Sequence, residues 1–205
     1  EKKTQLENDP LPEKIDYNDL MLKILSHENV ASRAPIYESY DKNVQGRVVN
    51  ERGKTNAGVV APFDSTKFPK EIKDDCFSAA LAHNPSIGKI DPYIVAQHAV
   101  IEACAKTVSV GASPLALTDC LCFGNPEKPE QMWQFSQSCV AIREACSLLH
   151  FNGTDNLPIV AGNVSFYNQS GDQSIPASPM IGCFGKVSKE QVLMNGFRSS
   201  DANIY

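Results

Sequence analysis

The chain has 205 residues, 19 basic against 24 acidic side chains for a net charge of −5, and a hydrophobic share of 42%. That share supports the core of one domain with appendages, or of two small ones. No run of about 18 apolar residues occurs, which excludes a membrane-spanning helix, and a mildly acidic chain without a basic block has no electrostatic footprint for nucleic acid or an anionic membrane.

Residues 1–57 read as a polar linker or wrapping segment. It opens EKKTQLENDPLPEK, without the apolar stretch of a secretory signal. Two helical segments are predicted inside it, 17–26, with Leu20, Met21, Ile24 and Leu25 on one face, and 33–41. Strands are predicted at 58–62 and 76–83, joined through a charged loop over 64–75. A helix follows over 92–109, with Asp91 as N-cap, Pro92 at the first helical position and Gly111 as its terminator. Ile94, Ile101, Ala105 and Val108 are expected to form its buried stripe, His98 to be a satisfied core histidine, and Glu102 to pair with Lys106 one turn on. After a strand at 115–123, a second helix begins at Pro129-Glu130 and carries Met132, Phe135, Cys139, Ile142, Cys146 and Leu149 at helical spacing. Apolar runs at 158–167 and 180–187 complete the strands, which read as buried on both faces.

The pattern predicts an α+β (α/β) domain over 58–188, with helices on one face of the sheet. The apolar second face demands another cover, a partner domain or subunit. Residues 189–205 read as the start of a connection to a further C-terminal domain. The seven cysteines (76, 104, 120, 122, 139, 146 and 183) lie in apolar segments without C-x-x-C spacing. They are expected to be free thiols in a reducing cytoplasm; Cys120 and Cys122 share a strand face but make a poor zinc site alone.

Polar residues inside buried strands carry the chemistry, because burying them unpaired is costly. Asp119, sharing a strand face with Leu117 and Leu121, either points at a cation or at N–H donors, or caps the following turn. In Gly162-Asn163-Val164-Ser165, the two polar side chains leave one face and the glycine admits close approach of a ligand. Amide oxygen, hydroxyl and bare backbone suit a magnesium–phosphate group; a bulge whose polar groups satisfy one another is the alternative. The turn 124–130 lacks the glycine spacing of a phosphate loop and reads as a shaped turn that positions the strand end. His27, His83, His98 and His150 have no Ser or Cys partner at triad spacing.

On Asp91-Pro92-Tyr93, Ile101-Glu102-Ala103, the VGASPLA run at 110–116, TDCL at 118–121, FGNPEKPE at 123–130, Met132-Trp133-Gln134, GNVS at 162–165 and Tyr167-Asn168, the chain resembles the phosphoribosylformylglycinamidine synthase family, the glutamine-dependent ligases of purine biosynthesis. LSH at 25–27, NVAS at 29–32, Tyr40-Asp41 and VQG at 44–46 resemble the family's linker. The resemblance implies the N-terminal domain of the second of two tandem aminoimidazole-ribonucleotide-synthetase-like units. That is a four-stranded mixed sheet with helices on one face, forming half of an eight-stranded barrel. It implies ATP and Mg2+ as cofactors, Asp119 and Gly162 as ATP contacts, Asn163 as a metal ligand and Ser165 as a substrate contact. No catalytic residue is assigned to this chain, since the family's catalytic histidines and phosphate-contacting lysine belong to the first unit. Implied partners are the remaining synthetase domains or subunits, a glutaminase subunit or domain, and formylglycinamide ribonucleotide; the open sheet face also offers a surface for a homodimer. The isolated chain is expected to be inactive alone. Lys106 and Cys122 stand where relatives carry Asn, and Asn56 where they carry Asp. A non-catalytic scaffold of the same superfamily is the rival reading. Residues 119, 163 and 165 are expected to converge at one rim that takes a metal-bound triphosphate.

Overall fold

Local signals set the element boundaries. Asp16 Oδ1 accepts the N–H groups of Asn18 and Asp19 and starts α1 (Tyr17–Ser26). Asp91 Oδ1 accepts those of Tyr93 (2.8 Å) and Ile94 (3.0 Å) and starts α2 (Pro92–Ser109), with Pro92 in the first turn, where its missing N–H costs nothing. Gly111 ends α2 at φ +82°, a conformation that favours glycine. The third long helix, α3, spans Pro129–Leu148. The computed structural model describes residues 14–40, 43–50, 53–151 and 155–196; Asp41 of the second predicted helix, residues 1–13 of the wrapping segment and residues 197–205 of the predicted connection lie outside them.

Five strands form the main sheet: β1 (Gly58–Val60), β2 (Asp75–Ala82), β3 (Ser113–Cys122), β4 (Ile159–Ser165) and β5 (Ser178–Ser188). Their order is β1-β2-β5-β3-β4, with β3 and β4 parallel and the other pairs antiparallel. The mixed α+β architecture is the expected one, with one difference. The sheet has five strands rather than four, because the short β1 adds an antiparallel edge to β2.

Helices α2 and α3 cover one face. Val95, Ala99, Val100 and Ala103 of α2 and Ala141, Ile142 and Ala145 of α3 pack with Leu117, Leu121, Phe123, Ile181 and Cys183. Phe123 is fully buried and meets Phe135 edge-on at 5.4 Å, and Phe135 meets Phe166 at 5.1 Å. Tyr93 O–H donates to Glu144, joining the two helices through their polar flanks.

Two expectations are corrected. The buried stripe of α2 is its row of small side chains, while Ile94, Ile101 and Val108 are each more than half exposed. Alanines allow the helix to lie close on the sheet, and the larger residues face outward. His98 is an exposed residue that pairs with Glu102 (3.3 Å) rather than a core histidine; Glu102 also takes Lys106 at 2.7 Å, as the spacing predicts. The second sheet face is apolar and left uncovered by the described residues, in keeping with the expected need for another cover. Val60, Phe77, Leu81, Met180 and Phe184 are exposed on the face that α2 and α3 leave open. The leucine-rich face of α1 is exposed as well, and the second predicted helix is only Ala34–Tyr37.

Candidate functional site

The carboxyl ends of the parallel strands β3 and β4 are knitted together by the turns that follow them. Phe123 N–H donates to Ser165 O (2.9 Å), Tyr167 N–H to Gly124 O (3.0 Å) and Asn168 N–H to Phe123 O (3.1 Å). Gly124 N–H is taken by the buried Gln131 Oε1 (3.2 Å), so the turn into α3 is fastened from the helix side too. The chain turns at Tyr167, whose φ of +60° is uncommon for a residue with a side chain. The predicted shaping role of the 124–130 turn fits these bonds.

Residues side by side in parallel strands share a sheet face, and the next residue in each strand takes the other face. The register pairs Asp119 with Gly162, Cys120 with Asn163 and Cys122 with Ser165. Asp119 and Gly162 therefore lie on the helix-covered side with Leu117 and Leu121. Asn163 and Ser165 lie together on the open side with Cys120 and Cys122. The expectation that residues 119, 163 and 165 converge on one rim is thus corrected: the pleat splits them, two and one, across the sheet. They share the same end of β3 and β4, and β4 is the sheet's edge strand.

On the covered side, the Asp119 carboxylate lies over Gly162, where an added Cβ would be 2.2 Å from Oδ1. Gly162 is needed for this approach, as its position inside a strand suggested. Burial pushes the Asp119 carboxyl above the ordinary carboxylate range, against the pull of the Asn163 backbone N–H. The carboxylate opens into a cavity of about 340 Å³ between β3, β4 and α3, lined also by Leu121, Ile142, Arg143, Asn156, Leu157 and Ile159. The N–H group that the Asp119 carboxylate accepts is that of Asn163 on the neighbouring strand, not one of the following turn. Arg143 and Asn156 carry no signal in the sequence: Arg143 lies off the apolar stripe of α3, and Asn156 comes from a short strand, Asp155–Asn156, paired with His150–Phe151.

On the open side the Asn163 side chain is exposed. Ser165 is held by Asn168, whose Nδ2 donates to Ser165 Oγ (3.1 Å), Ser165 O (2.9 Å) and Phe123 O (3.1 Å). The strand register runs without a shift from Ala161 to Ser165, so the 162–165 segment is a regular strand and not a bulge. Neutral oxygens from Asn163 and Ser165 suit magnesium, which takes most of its remaining ligands from water and phosphate. Among the described residues no group of three or more His, Cys, Asp and Glu side chains is placed to hold a metal unaided. A cation held by these two oxygens would need further ligands from outside the described residues. No helix of the described residues is long and apolar enough to cross a membrane.

The family model for AIR synthase related protein, N-terminal domain, matches residues 55–187. Phosphoribosylformylglycinamidine synthase subunit PurL of Methanothrix thermoacetophila is 43% identical over 172 residues, 83% of this chain and 22% of that protein. Among solved structures, Thermotoga maritima PurL complexed with ATP is 28% identical with a TM-score of 0.63, over 79% of this chain and 24% of that one. The same protein complexed with FGAR is 29% identical, again with a TM-score of 0.63 and the same coverage. The chain therefore spans about a fifth to a quarter of the length of the proteins it matches.

Proposed function

Because this chain belongs to the AIR synthase related family through that family's N-terminal domain, we propose that it supplies one wall of a composite ligase site. That site converts formylglycinamide ribonucleotide, ATP and glutamine-derived ammonia into formylglycinamidine ribonucleotide. The observation that carries this reading is that Asn163, exposed, and Ser165, half-buried, share the open face at the tethered end of β3 and β4, next to the bare backbone of Gly162.

In this reading Asn163 donates its amide oxygen to magnesium carried by the nucleotide phosphates, and Ser165 contacts the substrate from the same face. Gly162 offers backbone to the nucleotide. Asp119, on the covered side, meets the nucleotide's polar edge or positions the Asn163 N–H; a bare carboxylate turned toward phosphate would repel it. Magnesium, when bound, neutralises charge on the transferring phosphoryl group. The chain's own residues bind, orient and exclude water, while activation of the formamide oxygen by phosphorylation, and its displacement by ammonia, require groups from the remaining domains or subunits. The open face with Phe77, Leu81, Met180 and Phe184 is the surface that would close against the equivalent domain of the first unit to complete a barrel; a glutaminase subunit or domain would deliver the ammonia. A reducing cytoplasm suits the free thiols.

Magnesium-dependent ATP binding tests the proposal, with titration of this chain together with the remaining synthetase domains. Asn163→Ala is expected to weaken binding in the presence of magnesium and to change little in its absence. Equal affinity for both proteins in magnesium would overturn the assignment. Amidine formation by the isolated chain with ammonia would overturn the composite site.

A further inference from the structure

On the open face, two thiols meet. Cys120 and Cys122 are one pleat apart on β3, and their sulfurs are 3.7 Å from one another. Both side chains are half-buried rather than sealed in the core, whereas Cys76, Cys104, Cys146 and Cys183 are buried. The register with β5 places Met180 directly opposite Cys120, and Met180 is exposed on the same face. Directly opposed residues in neighbouring strands have Cβ atoms about 5 Å apart, within reach of a thioether at the end of a flexible side chain. Two neighbouring thiols and a methionine directly opposite one of them therefore share one face of the sheet, beside Asn163 and Ser165, with which the two cysteines are in register.

We infer that Cys120, Cys122 and Met180 form a binding site for a soft monovalent cation of the Cu(I) class. Hard magnesium and these sulfurs do not compete for one ion, because thiolate and thioether donors select soft metals while amide and phosphate oxygens select hard ones. Zinc is disfavoured, since it requires a closed tetrahedral set of nitrogen and sulfur donors and no such group exists among the described residues. Binding is a ligand exchange without electron transfer. Cu(I) displaces one proton from each thiol, both protons pass to solvent, and the Met180 thioether adds as a neutral donor. The resulting complex carries one negative charge. The inference rests on the sulfur geometry and stands independently of the nucleotide reading.

The test is an anaerobic titration of this chain with Cu(I) held by a competing colorimetric chelator. One equivalent per chain is expected to transfer to the wild-type protein and none to the Cys120→Ser/Cys122→Ser double variant. Met180→Leu is expected to retain the metal against less chelator than wild type does. Mass spectrometry of native wild-type protein after alkylation supplies a readout that needs no variant: Cu(I) is expected to protect Cys120 and Cys122 together. Transfer of no metal, equal transfer to the double variant, or protection of other cysteines in place of this pair would overturn the site. Equal retention by wild type and Met180→Leu would overturn the three-donor set.

Discussion

Asp119 carries its carboxylate so close above Gly162 that a methyl group on residue 162 would lie 2.2 Å from Oδ1 and 2.7 Å from Cγ. The two residues are register partners on adjacent parallel strands, so neither strand can slide away to relieve the clash. The carboxylate's position and the absence of a side chain at 162 are one feature of the site.

Gly162→Ala is therefore expected to push the Asp119 carboxylate aside and to destabilise the chain by about 1 kcal/mol, the low end of the range for forcing extra volume into an occupied site. Asp119→Ala should remove the obstacle, so that the double variant loses less than the sum of the two single changes. Urea denaturation of the four proteins measures this coupling. Strict additivity would mean that the carboxylate does not rest on residue 162.

Burial holds the native Asp119 carboxyl above its ordinary range, so the folded state takes up this proton at a higher pH than the unfolded chain does. The contribution to stability is complete below the unfolded value of about 3.9 and is lost as pH rises through the raised native value. Asp119→Asn, neutral throughout, should abolish this part of the pH dependence and be more stable than wild type near neutrality. Denaturation midpoints followed from about pH 4 to 7 isolate the effect as a difference between the two proteins. Asp64, held low by Lys189 at 2.7 Å, contributes with the opposite sign and cancels in that difference. Parallel curves for the two proteins would rule out the raised carboxyl.

The elements themselves were legible because their signals are local. Asp91-Pro92 and Gly111 bracket α2, and prolines and glycines punctuate the strands. Within β4, alternation placed Asn163 and Ser165 on one face correctly. What periodicity could not supply was the relation between strands. Whether residue 119 faces 162 or 163 depends on the register of β3 against β4, a non-local quantity, and a shift of one residue exchanges the faces. The stripe of α2 departs from hydrophobic periodicity for another reason. Hydrophobicity favours Ile94 and Ile101, whereas close packing on the sheet is made by Ala96, Ala99 and Ala103, whose value lies in small size. Arg143 and Asn156 carried no motif, and only the meeting of α3 with the Asp155–Asn156 strand reveals them beside Asp119.

Asn168 fastens the strand ends through its side-chain amide, which donates to Phe123 O, Ser165 O and Ser165 Oγ. Asn168→Ala leaves its backbone bond to Phe123 in place and is expected to cost about 1–2 kcal/mol, the range for losing hydrogen bonds at a half-buried site. Ser165→Ala removes only the hydroxyl contact and should cost less. Thermal unfolding orders the two variants, and the reverse order would show that the Asn168 amide is not the fastening.

The open sheet face sets the last expectation. Phe77, Leu81, Met180 and Phe184 are exposed on β2 and β5, with Leu81 at 65%. An apolar surface of this kind on a lone domain favours association, and identical faces can meet about a two-fold axis. The isolated chain is expected to self-associate, with a sedimentation coefficient that rises with concentration. Phe184→Glu places a charge among these side chains, pairing across from Ala79 and Ala116, where its desolvation opposes any apolar contact. That variant should sediment as a monomer at every concentration while keeping its fold, because residue 184 points away from the core under α2 and α3. Ile94→Glu, on the outer face of α2, is the control and should leave association unchanged. Dimerisation abolished by Ile94→Glu and spared by Phe184→Glu would assign the contact to the outer face of that helix and not to the sheet.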